Sequence, residues 1–163
     1  MTSDSSLIQP ALTRCEHVRL MAASFARWTG RSLFPDRDPA SASPELLARW
    51  LYEAPFVVVS HGIEVDPVLN YGNRRALELW ETTWEVLTQM PSRLTAEAPS
   101  REERARLLAR VTQHGFIDDY SGVRISAKGR RFRILRAVVW NLVDDGGVYR
   151  GQAATFSSWE FLP

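Results

Sequence analysis

The chain has 163 residues, 45% hydrophobic and 24% charged, with a formal net charge of +1. These values fit one globular domain with appended elements and a core that needs no disulfide or metal, and they exclude a chain-wide field that would draw nucleic acid or anionic lipid. Cys15 is the sole cysteine, which excludes an intrachain disulfide framework and a cysteine-rich zinc site.

From Ile8 to Trp28, Ala11, Leu12, Cys15, Val18, Ala22 and Phe25 recur at spacings of three and four. The spacing predicts an amphipathic helix, with Pro10 near its first turn and Gly30 past its end. Nothing beside Cys15 marks an electropositive niche, so the thiol is read as buried and inert. The breaker-rich stretch 30–43 is a loop or linker. In SPELLARWLYEAP, Ser43 caps, Pro44 fits the first helical position, and Leu46, Leu47, Trp50 and Leu51 form the expected inner face. Pro55 ends that helix. The opening 42 residues are thus assigned to a helix and linker, and 43–163 to the main domain.

FVVVSHG at 56–62 and VLNYG at 68–72 read as a strand pair. Asn73 then caps a helical segment carrying Leu77, Trp80, Trp84 and Leu87, with a break expected at the β-branched Thr82 and Thr83. SREERARLLARVTQHG predicts a long helix, with Ser100 and Glu103 as a capping box and Leu107, Leu108 and Val111 as its buried stripe. After Gly115 three long antiparallel strands follow, joined across AKGR and DDGG, where Gly129 supplies positive φ for a tight turn.

This order resembles a PAS domain, an α+β fold with a five-stranded antiparallel sheet and helices on one face, here with an N-terminal helical extension. VLNYGNRRALELW resembles the PAS strand, aromatic-small-Asn turn and helix. More narrowly, FVVVSHGIEVDPVLNYGNRRALELW, PSRLTAE, RARLLARV, GFIDDYSGVRIS, RFRI, VWNL and GQAATFSSW together resemble the MEKHLA domain family, and FARWTGRSL resembles its free-standing bacterial members. The resemblance covers about residues 15–160. It implies a sensory or regulatory module that binds a small molecule, planar or anionic, between sheet and helices, or binds a protein partner. A pure dimerisation module with a filled core and an uncharacterised small-molecule enzyme are the alternatives. No homeodomain, zipper or kinase segment is expected, so a signal would leave through the surface or the N-terminal helix, which either covers the sheet or mediates a homodimer.

Alternation on the strand RFRILRAVVWNLV places Phe132, Ile134, Arg136, Val138, Trp140 and Leu142 on one face, read as the inner one. A core-facing Arg136 needs an anion. Asp118 or Asp119, a ligand carboxylate or phosphate, or a bulge that turns it into water are the three readings. Tyr71, Asp119, Tyr120 and Gln152 are further polar candidates. With Asn73, Trp80, Trp84, Arg136 and Trp140 they make up the ligand-binding set; tryptophans filling the whole space is the competing reading.

Specific cofactor signals are poor and no cofactor is assigned. A flavin photosensor of the LOV type would need a cysteine in the helical region, and Cys15 lies outside it. His114 is the one haem-ligand candidate by position, and its place in the last helical turn has a simpler cause in the helix dipole. His17, His61 and His114 show no metal spacing. Ser60 and His61 are strand neighbours on opposite faces, so no catalytic constellation emerges. Arg101, Arg104, Arg106 and Arg110 read as a solvated helix face, and Arg130, Arg131 and Arg133 as a weak basic cluster, so nucleic acid is not expected. The N-terminus lacks the form of a signal peptide and no apolar run nears the roughly 20 residues that span a bilayer, so the expected location is the cytoplasm.

Overall fold

The computed structural model describes residues 9–163; Ile8, where the predicted N-terminal helix begins, and residues 1–7 lie outside the described residues. A 3-10 turn at Pro10–Thr13 leads into α1 (Cys15–Thr29), followed by α2 (Pro44–Tyr52), β1 (Val57–His61), β2 (Leu69–Gly72), α3 (Arg74–Leu79), α4 (Trp84–Leu87), α5 (Ala98–His114), β3 (Phe116–Ile125), β4 (Arg131–Val143), β5 (Tyr149–Phe156) and β6 (Ser158–Phe161). The expected single N-terminal helix is broken at Arg14, whose φ of −93° and ψ of 42° leave the helical region. The break lets the 3-10 turn swing onto α2.

Caps match their residue types in most places. Ser43 Oγ accepts from Leu46 N, Asn73 Oδ1 from Ala76 N, and Thr83 Oγ1 from Val86 N. The Ser100–Glu103 capping box does not form. The helix starts three residues earlier, with Glu97 as its N-cap and no side-chain cap bond, because a proline at position 99 suits the first turn. On α2 the buried side chains are Ala48, Leu51 and Tyr52, and Leu46 faces solvent. The inner face is therefore rotated from the expected stripe.

The sheet is antiparallel in the order β2-β1-β5-β4-β3, and β6 continues alongside the first half of β4. Both faces of this sheet are covered. One carries α1 and α2, with Val18, Met21 and Phe25 packed on Val58, Tyr71, Val138, Trp140 and Leu142. Three hydrogen-bonding side chains pin α1 to β4: Trp140 Nε1 donates to Met21 O, Trp28 Nε1 to Asn141 O, and Ser24 Oγ to Val143 O. The N-terminal helix thus covers the sheet, the first of its two expected roles. The other face carries α3 and α5, with Ala76, Trp80, Leu107 and Val111 against Val57, Tyr120, Phe132, Ile134, Ala137, Val139 and Phe156.

A pair of opposed bulges corrects the expected alternation on β4. Between the pairs Ile117↔Val139 and Tyr120↔Ala137, β3 holds two residues against one; between Tyr120↔Ala137 and Gly122↔Ile134, β4 holds two against one. Asp119 (φ 58°) and Arg136 (φ 51°) sit at these extra positions in the left-handed region. The side chains flip there, so Phe132 and Ile134 share a face with Ala137, Val139 and Asn141. Val138, Trp140 and Leu142 point to α1. Arg136 is exposed and donates to Ser158 Oγ at 3.0 Å, and Asp118 pairs with Arg31. Of the three readings of Arg136, the bulge is the one realised.

The bulge makes a counterintuitive stability prediction. A β-branched side chain is strained at positive φ, whereas asparagine tolerates it. Arg136→Val is therefore expected to be less stable than Arg136→Asn by about 1 kcal/mol or more, despite valine's higher strand propensity. Urea unfolding measures the difference; equal midpoints would deny the left-handed backbone.

Candidate functional site

Between the sheet and the α3, α4 and α5 layer lies a cavity of about 60 Å³. Strand alternation builds its floor: Val59 and His61 from β1, Gln152, Ala154 and Phe156 from β5, Ala137 and Val139 from β4, Tyr120 and Arg124 from β3. Trp80, Leu87, Arg104, Leu107 and Leu108 close it from the helices. The wall is mainly apolar, with a few polar groups converging on it.

Those polar groups divide into committed and uncommitted atoms. Gln152 Nε2 shares its two hydrogens among three acceptors within reach, Leu108 O, Thr112 Oγ1 and Asn141 Oδ1, which ties β5 to α5. Arg124 donates to Val123 O and to Tyr120 Oη, and Tyr120 Oη in turn donates to Glu103 Oε2 at 3.1 Å. His61 Nδ1 donates to Gly62 O at 3.0 Å, leaving Nε2 as a buried acceptor without a hydrogen-bond partner. Trp80 Nε1 is also buried and unpartnered. Burial holds the His61 imidazole below its ordinary pKa and the charge of Arg104 adds to that, while the Gly62 carbonyl, the neighbouring Gln152 amide and the Glu64 charge oppose it; Gln152 lies beside the ring without meeting hydrogen-bond geometry at Nε2. Burial likewise pulls Arg104 down to about 10, with the Arg124 charge pushing the same way. Among the described residues neither Arg104 nor Arg124 has a carboxylate within ion-pair distance.

Of the residues singled out from sequence, the cavity gathers Trp80, Tyr120 and Gln152. Trp84 and Tyr71 stack edge-on at 5.7 Å on the α1 side, Trp140 lies under α1, Asp119 and Arg136 face solvent, and Asn73 is consumed by backbone bonds. The tryptophans therefore do not fill this space together. His61, Arg104 and Arg124 were missed, though the signal for each was present. Arg104 shares the 104-107/108-111 stripe with Leu107, Leu108 and Val111, Arg124 alternates in phase with Tyr120, and His61 alternates in phase with Val57 and Val59. The solvated reading of Arg104 is corrected by this packing. Of the other arginines in those two clusters, Arg106 pairs with Glu102, Arg131 with Glu97 and Arg133 with Glu160.

On the opposite face, His17 Nε2 lies 2.8 Å from Ser60 Oγ. The Ser60 hydroxyl donates to Asn70 Oδ1, so His17 donates to Ser60. That direction is the reverse of general-base activation, and the pair fastens α1 to β1. Cys15 is on this helix too, away from the cavity. Burial, helped by Arg14, lowers His17 from 6.5 to about 4. As pH falls, the unfolded chain takes the proton first. Stability conferred by neutral His17 is therefore full above 6.5 and is lost as pH falls toward 4. His17→Gln is expected to lose about 2 kcal/mol less than the parent between pH 7 and pH 5, read by urea unfolding at both; identical losses would contradict the burial.

A family model described as MEKHLA domain matches residues 15–161. The homeobox-leucine zipper protein ATHB-9 of Arabidopsis thaliana is 27% identical over 146 residues, covering 89% of this chain and 17% of that protein. The homeobox-leucine zipper protein HOX29 of Oryza sativa subsp. indica is 27% identical over 173 residues, covering 98% and 20%. The chain thus spans about a fifth of the length of these relatives. Among solved structures, the PAS domain of a protein from Colwellia psychrerythraea superposes with a TM-score of 0.60 at 11% identity, over 68% of this chain and 92% of that one. An RNA-binding light-oxygen-voltage receptor gives 0.59 at 13% identity, over 74% and 34%. These likenesses establish the PAS-type fold.

Proposed function

The chain belongs to the MEKHLA domain family, and from that premise we propose that it is a sensory module that holds a small molecule in the cavity between the sheet and α5. The observation that carries this reading is that His61 and Trp80, each with a buried ring nitrogen that lacks a partner, line the same apolar-walled space. Buried polar atoms are ordinarily satisfied, so a pair left open toward one cavity is what a binding site looks like before its ligand arrives. A space of about 60 Å³ favours a compact ligand over a planar cofactor of flavin size, since drug-sized ligands take roughly 300–1,000 Å³.

A route for a signal runs through β4. Asn141 Nδ2 donates to Val111 O and Thr112 O on α5, while its backbone carbonyl accepts from Trp28 of α1. Movement of α5 over an occupied cavity would reach α1 through this one residue. Because the apolar stripe of α1 is packed on its own sheet, self-association would use other surfaces, such as the exposed Ile63 and Val65 of the β1–β2 loop. Among the described residues no helix is long and apolar enough to cross a membrane.

Native mass spectrometry of freshly purified protein tests the reading. A bound small molecule lost on denaturation is expected. A single unadorned mass, with His61→Phe and Trp80→Phe variants each as stable as the parent or more so, would favour a pure interaction module. Light scattering at tens of micromolar protein reads the oligomeric state beside it.

A further inference from the structure

We propose that the cavity recognises a short hydroxycarboxylate, with Arg104 meeting the carboxylate and His61 Nε2 accepting from the ligand hydroxyl. This rests on the ligand-binding reading above. Arg104 and Arg124 both line the space, and among the described residues neither is ion-paired. Arg124 is buried and Arg104 half-buried; a guanidinium partly withdrawn from water favours an anion, and its planar fork suits a carboxylate. Arg124 is partly compensated through Tyr120 to Glu103, so Arg104 is the more open of the two.

The uncommitted atoms define the rest of the ligand. His61 is 6% exposed, and its Nδ1–H is engaged by Gly62 O, so Nε2 needs a donor. Trp80 is 3% exposed and its Nε1–H needs an acceptor. One molecule bearing both an anionic acceptor and a hydroxyl donor meets all three demands. An ammonium group in place of the hydroxyl would face two guanidiniums. Two carboxylates of neighbouring residues are already engaged, Glu103 by Tyr120 and Glu64 by Val68 N. The apolar wall accepts a carbon skeleton and disfavours inorganic phosphate, whose every corner is polar. The volume corresponds to a solute of about four to six heavy atoms, taking about 10–15 Å³ of such space for each water-sized group.

Isothermal titration of the full chain with lactate, lactamide, propionate, alanine and phosphate tests this. Lactate is expected to bind at least about tenfold more tightly than the neutral amide or the deoxy acid, each of which leaves a buried group unpaired, and than the amino acid, whose ammonium faces two guanidiniums. Arg104→Gln is expected to remove the preference for lactate over lactamide while keeping the melting temperature. Lactamide or phosphate binding as well as lactate, or Arg104→Gln binding lactate unchanged, overturns the hydroxycarboxylate assignment and leaves the cavity as a site for another ligand. No binding by any probe, in protein that also shows no bound mass, overturns the site itself.

Discussion

Replacing Asn73 with alanine is expected to cost about 4 kcal/mol and to lower the melting temperature by about 10 °C. The side chain is fully buried and all its principal hydrogen-bonding capacity is used. Oδ1 accepts from Val58 N and Ala76 N, both at 3.1 Å, and Nδ2 donates to Leu51 O at 3.0 Å and Phe56 O at 2.8 Å. One amide thus caps α3, extends the β1 ladder and ties off the end of α2. Alanine would strand four backbone groups away from water, each worth about 1–3 kcal/mol when unsatisfied, less whatever water can enter to relieve. Such a loss is a large part of the 5–15 kcal/mol that holds typical domains together. Asn73→Asp separates the two halves of the amide. It keeps the acceptor for Val58 and Ala76 but turns a carboxylate oxygen toward two carbonyls, so it should be no better than alanine at neutral pH. Urea unfolding followed by tryptophan fluorescence measures both; a cost under about 1 kcal/mol for alanine would mean these bonds contribute little.

Gly151→Ala is expected to be at least as damaging, about 3–5 kcal/mol, and to disturb the cavity as well. Gly151 has a φ of 129°, and a Cβ placed there would stand 2.0 Å from His61 O and 3.2 Å from Gly62 Cα. The obstacle is backbone, which cannot swing aside as a side chain can. Relief requires β1 and β5 to separate just where His61 is aimed at the cavity. Gly129 is the control. Its φ is also positive, at 86°, but a Cβ there meets nothing within 4 Å, so Gly129→Ala should cost only the local backbone strain of about 1 kcal/mol. If both substitutions cost the same, close packing of β1 on β5 at this point is wrong.

How much of this was legible depended on how far each residue's role was local. Caps at Ser43 and Asn73, the break at Thr83 and the hairpin at Gly129 are short-range chemistry, and each stands where its residue type suggested. The face of β4 was not readable in the same way. Ala137, Val138, Val139, Trp140 and Leu142 are all buried because both sides of the sheet are covered, so hydrophobic alternation carries no direction there. Two opposed bulges then move Trp140 and Arg136 away from the side a continuous strand would give them. The cavity cations illustrate a different limit. Arg104 lay on the apolar stripe of α5, but arginines beside glutamates on a helix are usually solvated. Only the sheet beneath shows which of them turns inward.

A crystal structure of the freshly purified chain tests the central claim most directly. The account predicts non-protein density in the cavity, within hydrogen-bond distance of the Arg104 guanidinium, His61 Nε2 and Trp80 Nε1. A cavity closed by protein side chains, with Arg104 turned out to a carboxylate and His61 Nε2 bonded to the protein itself, would contradict it.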